Sequence, residues 1–402
     1  MEKPLKIRLQ TLSPVHIGCG DVYEPTSFVI DESRQVLVEF EQFKLINSLN
    51  QEEKAELADV CMGDDLLKIF KFIKKSYKPN INDREVEIVP ALLRQYKKIL
   101  SMSRFDKKTV INQFEIGRTA YNPYNHTPYI PGSSLKGALR TAYLSNKAKE
   151  KGVKKYWEMP GKRIGNKLSK ELEENLLDGK FHTDPFRLLK ISDLKAVNDI
   201  STKIVYAVNK KKKLSKFDAK GPFQILETIQ DGGIFEGMIN IEKPERGSKI
   251  SMPVTKETIL KSLDYFYKSI CKDEDEVLSN IDASSMVLNT VGSRFKETTG
   301  VSTFLVRLGR HSGAESITIE GNRHIKIMQG RGSPHKFEDK ATTTWLASDS
   351  PNPNHNRDLL PFGWAIISIG DQDQIESTIT HDSQATQEDM SEKIKMLVNK
   401  FK

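Results

Sequence analysis

The chain has 402 residues, of which 29% are charged and only 37% hydrophobic, and its formal net charge is +8. This length suits one elaborated domain or two ordinary ones, and the basic excess favours phosphates or other anionic surfaces as partners. Three widely spaced cysteines argue against a disulfide framework or a structural zinc, and the sequence has neither an apolar leader nor a run of about 18 apolar residues, so we expect a cytoplasmic protein that spans no membrane.

The first segment predicts a β-rich start. Leu5, Ile7 and Leu9 alternate with polar residues, which is the period of a half-buried strand. The stretch "SFVIDESRQVLVEF" is typical of a β-hairpin that turns around residues 31–34. Residues 41–118 have a charged, helical texture, and we interpret this range as a helical insertion into a β-rich core.

The middle of the chain is punctuated by proline and glycine. Three prolines within residues 121–132 predict an irregular loop, and the following "GSSLKGALRTAYL" predicts a helix that Ser133 or Ser134 caps. Residues 149–180 are interpreted as a second inserted arm. The stretches "FRLLKISDLKAV" and "TKIVYAV" then predict strands.

The last part of the chain predicts a hairpin, a helix and further strands. Asp231, Gly232 and Gly233 separate two strand-like runs, which is a strong hairpin signal. A helix over residues 255–278 follows, then strand, glycine-rich loop and strand in "TFLVRLGRHSGAESITIEG", and a last strand in "LLPFGWAIISIG". Residues 371–402 predict a polar, acidic link and a short C-terminal helix.

With the insertions set aside, the elements follow the order strand, helix, strand, strand, helix, strand. This is the βαββαβ pattern of a ferredoxin-like or RRM-like sheet, so the predicted fold class is α+β. Residues 1–370 would form one elaborated unit with insertions at 41–118 and 149–180, and residues 371–402 would be an appended tail.

The start of the predicted helix suggests two enzyme classes at first sight. Its G-x-x-x-x-G spacing fits a nucleotide-binding P-loop, but Gly137 is followed by Ala138 and Leu139 where that loop needs lysine and a hydroxyl. Ser133 to Lys136 form the S-x-x-K pattern of penicillin-recognising enzymes, but the S-x-N and K-T-G elements of that class are missing. The first class is therefore excluded, and the second is disfavoured.

A polyanion site is the third possibility for the same helix start. Helix N–H groups and the hydroxyls of Ser133 and Ser134 can donate to phosphate oxygens. Lys136 and Arg140 stand at i and i+4 and therefore share one basic helix face. From this stretch alone, a capped amphipathic helix with solvated cations explains the pattern equally well.

Two further glycine-rich turns, "HIGCGD" and "GRHSGAES", carry histidine or arginine. Each alone has a plain structural explanation. The lysine run at residues 210–213 could extend such a site, although a lysine run is more often a solvated loop. Three such turns on one β-rich scaffold nevertheless predict a groove for a sugar–phosphate chain. The predicted contacts outside the helix are His16, Gly18, Gly20, Lys211, Lys212, Arg310, His311 and Arg323.

These motifs, in this order, resemble the RAMP superfamily of CRISPR proteins. They read "SPVHIGCGD", "PYIPGSSLKGALRTAYL", "FRLLKISD", "ETIQDGGIFEGMI", "LGRHSGAES" and "LPFGWA". In that superfamily an RRM-like fold carries an early HIGxG turn, a glycine-rich helix start and a late glycine-rich loop. The late "GRHSGAESITIEGNRHIKIM" and the chain length are similar to one branch, the subunit at the crRNA 3′ end of type III-A effector complexes.

The resemblance implies a non-catalytic, RNA-binding subunit of a type III-A ribonucleoprotein that defends against foreign nucleic acid. Such a subunit holds the 3′ part of the crRNA, caps the backbone filament and assists maturation of the crRNA 3′ end. The implied partners are the crRNA, the backbone RAMP subunit, the small helical subunit and host nucleases that trim the crRNA. The eight histidines do not cluster in close pairs, so the sequence predicts no metal site, and we expect no cofactor.

Two other functions stay open at this point. Backbone subunits of the superfamily cut target RNA with an aspartate after the HIG turn, and here Glu24 stands near that place, with Asp21 and Asp31 as the neighbouring carboxylates. An endoribonuclease would use one of these with a metal, or His16 and His311 as an acid–base pair. The other alternative is an adaptor that contacts only protein.

Overall fold

The computed structural model describes residues 3–63, 65–80, 83–102, 114–161, 167–215, 219, 221–284, 302–327, 334, 336–371 and 375. The described residues form a seven-stranded sheet, a nine-stranded sheet and a small two-stranded hairpin. The strands are β1 Leu5–Thr11, β2 Gly18–Tyr23, β3 Phe28–Asp31, β4 Val36–Glu39, β5 Arg84–Ile88, β6 Ile116–Thr119, β7 Tyr129–Ile130, β8 Leu189–Ile191, β9 Leu194–Ala196, β10 Thr202–Lys211, β11 Gln224–Ile229, β12 Ile234–Ile241, β13 Ser302–Arg307, β14 Ile325–Ile327, β15 Lys336–Glu338, β16 Thr343–Ser348, β17 Leu360–Pro361 and β18 Trp364–Gly370. The helices are α1 Gln42–Ser48, α2 Gln51–Met62, α3 Leu66–Ser76, α4 Pro90–Leu100, α5 Gly132–Glu150, α6 Leu168–Leu176 and α7 Lys256–Asn280.

The seven-stranded sheet has the ferredoxin-like arrangement. Its central strand β1 is antiparallel to β18 on one side and to β12 on the other, and β12 also pairs with β8 and β9. Helix α5 lies between β1 and β9 in the chain, and α7 lies between β12 and β18. The predicted apolar stripe of α5, represented by Leu135 and Leu139, is buried in one core with Leu263 of α7 and Ile7 of β1. The predicted α+β class with a βαββαβ core is thus confirmed.

The nine-stranded sheet joins the N-terminal hairpin to the middle of the chain. Its order is β2, β6, β11, β10, β5, β4 and β3, with β16 and β17 attached through β10. The predicted hairpin around residues 31–34 is present, because β3 pairs with β4 from Phe28 to Asp31. Phe70 of α3 packs on Phe28, and Tyr96 of α4 and Phe114 pack on Phe70 in the core of this sheet. The range predicted as a helical insertion therefore contains α1 to α4 and also an internal strand, β5.

Three of the places where the described chain passes from one sheet to the other lie side by side. They connect β1 to β2, β11 to β12 and β17 to β18. Val15 of the first crossing pairs with Ile229, and the Gly363 amide donates to the Pro14 carbonyl at 2.9 Å. The Leu308 amide in turn donates to the Gly363 carbonyl at 2.8 Å. We call residues 11–17, 229–233, 308–311 and 362–364 the sheet junction.

Two sequence predictions about strands are wrong. The runs on either side of Asp231–Gly233 are strands, but β11 and β12 lie in different sheets, where β12 pairs with β1 along six residues. A local turn signal cannot reveal such a partner more than 200 residues away. The expected strand in "SITIEG" is instead a 3₁₀ turn at Ala314–Ile317, followed by an irregular segment whose Asn322 side chain donates to the Val153 carbonyl at 2.8 Å.

Of the elements predicted in the C-terminal part of the chain, the helix lies within the described residues and most of the tail does not. The predicted helix over residues 255–278 corresponds to α7, which the Thr255 side chain caps. The predicted tail lies outside the described residues except for Asp371 and Ile375. Among the helices of the described ranges, none combines the length and the apolar character needed to cross a membrane.

Candidate nucleic-acid interface

The start of α5 is held by the Asp193 carboxylate rather than by a serine cap. The Gly132 amide donates to the Asp193 carboxylate at 2.9 Å, and no side chain of the helix itself caps this end. A Cβ atom on Gly132 would lie 2.7 Å from the Ser192 carbonyl oxygen, so only glycine fits against the β8–β9 turn. Ser133 and Ser134 lie inside the first turn, and the predicted serine cap is therefore wrong. Asp193 places a carboxylate at this end and disfavours a phosphate on the same amide.

Arg140 shares a helix face with Lys136, as predicted, but its charge is already neutralised. Its guanidinium lies 2.7 Å from the Glu173 carboxylate of α6 and 2.8 Å from the Asp184 carboxylate. Its guanidinium carbon is also 5.2 Å from the centre of the Phe186 ring. These contacts attach α6 and the segment before β8 to α5, which gives Arg140 a structural explanation.

Lys136, unlike Arg140, remains available to an anion. Its Nζ donates to the Leu189 carbonyl at 2.7 Å, and in the described ranges it has no carboxylate within ion-pair distance. Partial burial lowers the pKa of Lys136, and the nearby charge of Lys190 lowers it further. Two neighbouring cations repel each other, and an anion that binds between them lowers this repulsion.

Two of the three glycine-rich turns meet at the sheet junction. The Arg310 amide donates to the His16 carbonyl at 2.8 Å. Gly309 has a φ of +79°, and a Cβ atom there would overlap the same His16 carbonyl oxygen. The glycine is required at this position by its left-handed backbone and by the close approach of the two chains. The structure thus brings together the "HIG" and "GRHSG" turns that the sequence predicted to share a groove.

Of the two histidines in these turns, His16 is buried and His311 is half-buried. His16 is 1% exposed, and its Nδ1 lies 2.7 Å from the Glu227 carbonyl oxygen. Burial lowers the pKa of His16, although its bond to Glu227 opposes the shift, and burial together with the charge of Arg310 lowers the pKa of His311 to about 4. The His311 ring packs 4.6 Å from the Trp345 ring. Both imidazoles are therefore neutral at pH 7 and add no charge to an RNA site.

The accessible part of the junction is smaller than the predicted set. Gly18 and Gly20 lie on the exposed part of β2, and the Arg310 side chain is exposed. Arg310 has no ion pair with any residue that the structure describes. An exposed arginine beside two exposed glycines lets a phosphate approach both a cation and the main chain closely.

Two of the three remaining predicted contacts, Lys212 and Arg323, meet at Glu315. Lys212 forms an ion pair with Glu315 at 2.6 Å, and the Arg323 guanidinium donates to the Glu315 carbonyl at 3.3 Å. Lys211 donates to the Ser215 hydroxyl at 3.0 Å. Lys212 and Arg323 are therefore brought together by Glu315 and not by the exposed Arg310.

A buried charge network beneath the HIG turn was missed by sequence reasoning. Glu227 is fully buried, with one carboxylate oxygen bonded to Arg84 and the other accepting the Thr119 amide at 3.2 Å. Arg118 pairs with Glu39 at 2.6 Å. A glutamate in the apolar strand "QILETI" is the signal that could have found it, because a carboxylate on a core face needs a partner.

An exposed aromatic loop beside the HIG turn was also missed. Tyr124 is 94% exposed, and the Arg118 guanidinium lies 3.6 Å from the centre of the Tyr121 ring, which stacks on His126. The Ala120 amide at the start of this loop donates to the Ile17 carbonyl at 2.7 Å. The sequence showed only a proline-rich loop, although its tyrosines could have indicated a surface for stacking bases.

The carboxylates considered for RNA cleavage do not form one site. Asp31 accepts hydrogen bonds from Ser33 and Arg34, which together hold the pKa of its carboxyl well below the usual range. Asp21 accepts from the Tyr121 hydroxyl at 3.3 Å. No three His, Cys, Asp or Glu side chains in the described ranges lie close enough to hold a metal ion.

The chain belongs to the RAMP superfamily. The family model matches residues 8–284, which is more than half of the chain. The chain is also similar to the CRISPR system Cms protein Csm5 of Methanocaldococcus jannaschii, with 27% identity over 239 residues. That match covers 56% of this chain and 53% of the relative, so it spans about half of the relative's length.

Two solved structures have a similar fold. A chain from a cryo-EM structure of a Csm–crRNA–target RNA ternary complex of a type III-A CRISPR–Cas system matches with a TM-score of 0.57 and 18% identity. The match covers 90% of this chain and 100% of that chain. The crystal structure of T. onnurineus Csm5 matches with a TM-score of 0.53 and 20% identity, over 89% of this chain and 99% of that one. The expected resemblance to this branch of the superfamily is thus confirmed.

Proposed function

We propose that this chain is a non-catalytic, crRNA-binding subunit of a type III-A CRISPR ribonucleoprotein in the cytoplasm. It holds the 3′ part of the crRNA, caps the backbone filament and assists maturation of the crRNA 3′ end. The observation that carries the proposal is the likeness in fold to a chain of a Csm–crRNA–target RNA complex over 90% of this chain. The partners are the crRNA, the backbone RAMP subunit, the small helical subunit and host nucleases that trim the crRNA.

The exposed face of the sheet junction supports RNA binding at this place. Arg310 is fixed by its main-chain bond to His16, while its side chain stays in solvent without a carboxylate in the described ranges. Phosphate contacts of this kind carry affinity but little sequence preference. Tyr124 on the neighbouring loop offers a ring on which any base can stack.

A non-catalytic role is supported by the state of the groups that a ribonuclease would need. His16 is buried and bonded to the Glu227 carbonyl, so it does not face an RNA strand. Asp31 is occupied by its own hairpin turn. A general base must reach the proton that it removes, and neither group does so from these positions.

The test is to purify the Csm complex from cells that express a CRISPR array with the wild-type chain, without it, or with Arg310→Ala. We expect crRNAs with altered 3′ ends when the chain is absent, and weaker RNA retention at high salt with Arg310→Ala, because one phosphate contact is lost. Arg94→Ala on the exposed side of α4 is the matched control. Complexes whose crRNAs keep their length and salt resistance in every case would contradict the proposal.

A further inference from the structure

A second basic surface lies away from the sheet junction, where β8 meets the chain that leaves β12. It is a cleft of about 970 Å³, lined by residues of α5, of the segment before β8 and of the loop after β12. Five lysine and arginine side chains line the cleft against two glutamates, Glu242 and Glu245, so positive charge is in clear excess. We call it the basic cleft, and its cations are Lys136, Arg187, Lys190, Lys243 and Arg246.

Most of these cations have no carboxylate of their own. Lys190 lies 3.6 Å from the Glu242 carboxylate, and both side chains are about half exposed. Arg187, Lys243 and Arg246 are exposed and have no ion pair with any residue that the structure describes. Several exposed cations without ion pairs around one concave surface favour an anionic ligand.

The rim of the basic cleft also carries an aromatic platform. Phe181 is 70% exposed, and the Arg187 guanidinium lies 5.5 Å from the centre of its ring. His182, which lines the cleft, packs edge-on against Phe181 with 5.4 Å between ring centres. A basic groove with an exposed ring at its edge is the pattern by which proteins hold single-stranded nucleic acid.

The floor of the cleft is part of the sheet and therefore keeps its shape. Lys190 of β8 is registered opposite Asn240 of β12, and the Glu242 amide donates to the Leu188 carbonyl at 2.9 Å. Helix α5 connects this floor to the sheet junction. Its Lys136 lines the cleft, and the strand just before it is bonded to Ala120, whose amide is bonded to Ile17.

We infer that the basic cleft binds the phosphate backbone of single-stranded RNA, with Phe181 stacking on a base. The inference rests on the proposed function, because the strand held here is taken to be the same RNA that contacts the sheet junction. The phosphates lie between Lys136 on one side and Lys243 and Arg246 on the other. Contacts to phosphate and to a ring make this a site without strong sequence preference.

The test measures binding of a fluorescent single-stranded oligouridylate to the purified full chain over a range of salt concentrations. The double variant K243A/R246A removes two exposed cations, and we expect about tenfold weaker binding and a slope of log K against log salt that is shallower by about 1.4. Phe181→Ala should weaken binding without changing that slope, because stacking releases no counterion. R94A/K98A on α4, which removes the same charge from an exposed helix face, is the control.

The outcomes separate the cleft from the proposed function. If K243A/R246A binds like R94A/K98A while Arg310→Ala binds more weakly, the cleft is not an RNA site and the proposed function stands. If K243A/R246A instead loses other Csm subunits during purification without losing RNA, the cleft is a protein surface and the inference is wrong. A wild-type chain that binds no RNA would overturn both.

Discussion

The sheet junction and the basic cleft treat charge in opposite ways. Beneath the junction, the buried Glu227 pairs with the mostly buried Arg84, and at the junction the two glycine-rich turns are closed by main-chain bonds. In the cleft, Lys243 and Arg246 are exposed and have no partner in the described ranges. The junction contains parts of four of the six motifs that resemble the superfamily, whereas the cleft takes Lys136, Arg187 and Lys190 from the other two motifs and Lys243 and Arg246 from a loop that no motif includes. The difference indicates that the junction motifs mainly join the two sheets, and that the exposed charge lies in the other motifs and beside them.

The largest expected effect comes from breaking the ion pair between Glu227 and Arg84. Glu227→Gln removes the nearest carboxylate from the mostly buried Arg84 guanidinium and leaves it with Glu39 at 3.9 Å, which should cost about 3–5 kcal/mol in the free energy of unfolding. Urea denaturation followed by circular dichroism would measure it. K243A/R246A should change stability by no more than about 0.5 kcal/mol, because surface charges away from such networks contribute little.

A double variant sharpens the first prediction. Replacing both Glu227 and Arg84 by uncharged residues should cost less than the sum of the single changes, since neither charge is then left alone. Costs that simply add would mean that the two side chains do not act as a pair, and the contrast with the cleft would be lost.

The next effect concerns the contact between the two turns. Gly309→Ala should lose about 1–2 kcal/mol from its left-handed backbone and a further 1–3 kcal/mol from overlap with the His16 carbonyl. Gly20 has a φ of +92° but open space around it, so Gly20→Ala should lose only the first part. Thermal unfolding of both variants would show the difference, and equal losses would mean that the turns do not press together.

The smallest effect is a pH dependence of stability. The pKa of His311 is about 4 in the fold and 6.5 ordinarily, so the unfolded chain takes up a proton between these values that the folded chain does not. Stability should therefore fall as the pH is lowered from 6.5 towards 4, by up to about 3 kcal/mol. His311→Gln should flatten this part of the profile measured by urea denaturation. A profile identical to that of the wild type would show that His311 titrates normally.

The parts of the fold that local patterns determine were predictable. Alternation at Leu5, Ile7 and Leu9 indicated β1, and the apolar spacing in residues 132–144 and 255–278 indicated α5 and α7. Which strands pair could not be predicted, because β11 and β12 are adjacent in the chain yet belong to different sheets. Sheet membership is decided by partners far along the sequence, such as the pairing of β12 with β1.

In the candidate site, the sequence likewise could not predict which cations are neutralised by carboxylates. Lys136 and Arg140 look alike in the sequence, one helical turn apart. Only the fold shows that Glu173 and Asp184 neutralise Arg140, while Lys136 faces a cleft. The basic cleft itself was not predictable, since its cations come from three separate segments that the sheet brings together.

The position of β1 has a consequence for how the chain folds during synthesis. β1 is made before both of its neighbours, which are β12, ending at Ile241, and β18, ending at Gly370. At about 5–20 residues per second, the ribosome needs roughly 6–26 s to pass from the first neighbour to the second. During that interval the central strand of the finished sheet is an open edge, on which another strand can add. The nascent chain is therefore most exposed to mispairing just before its last described strand emerges.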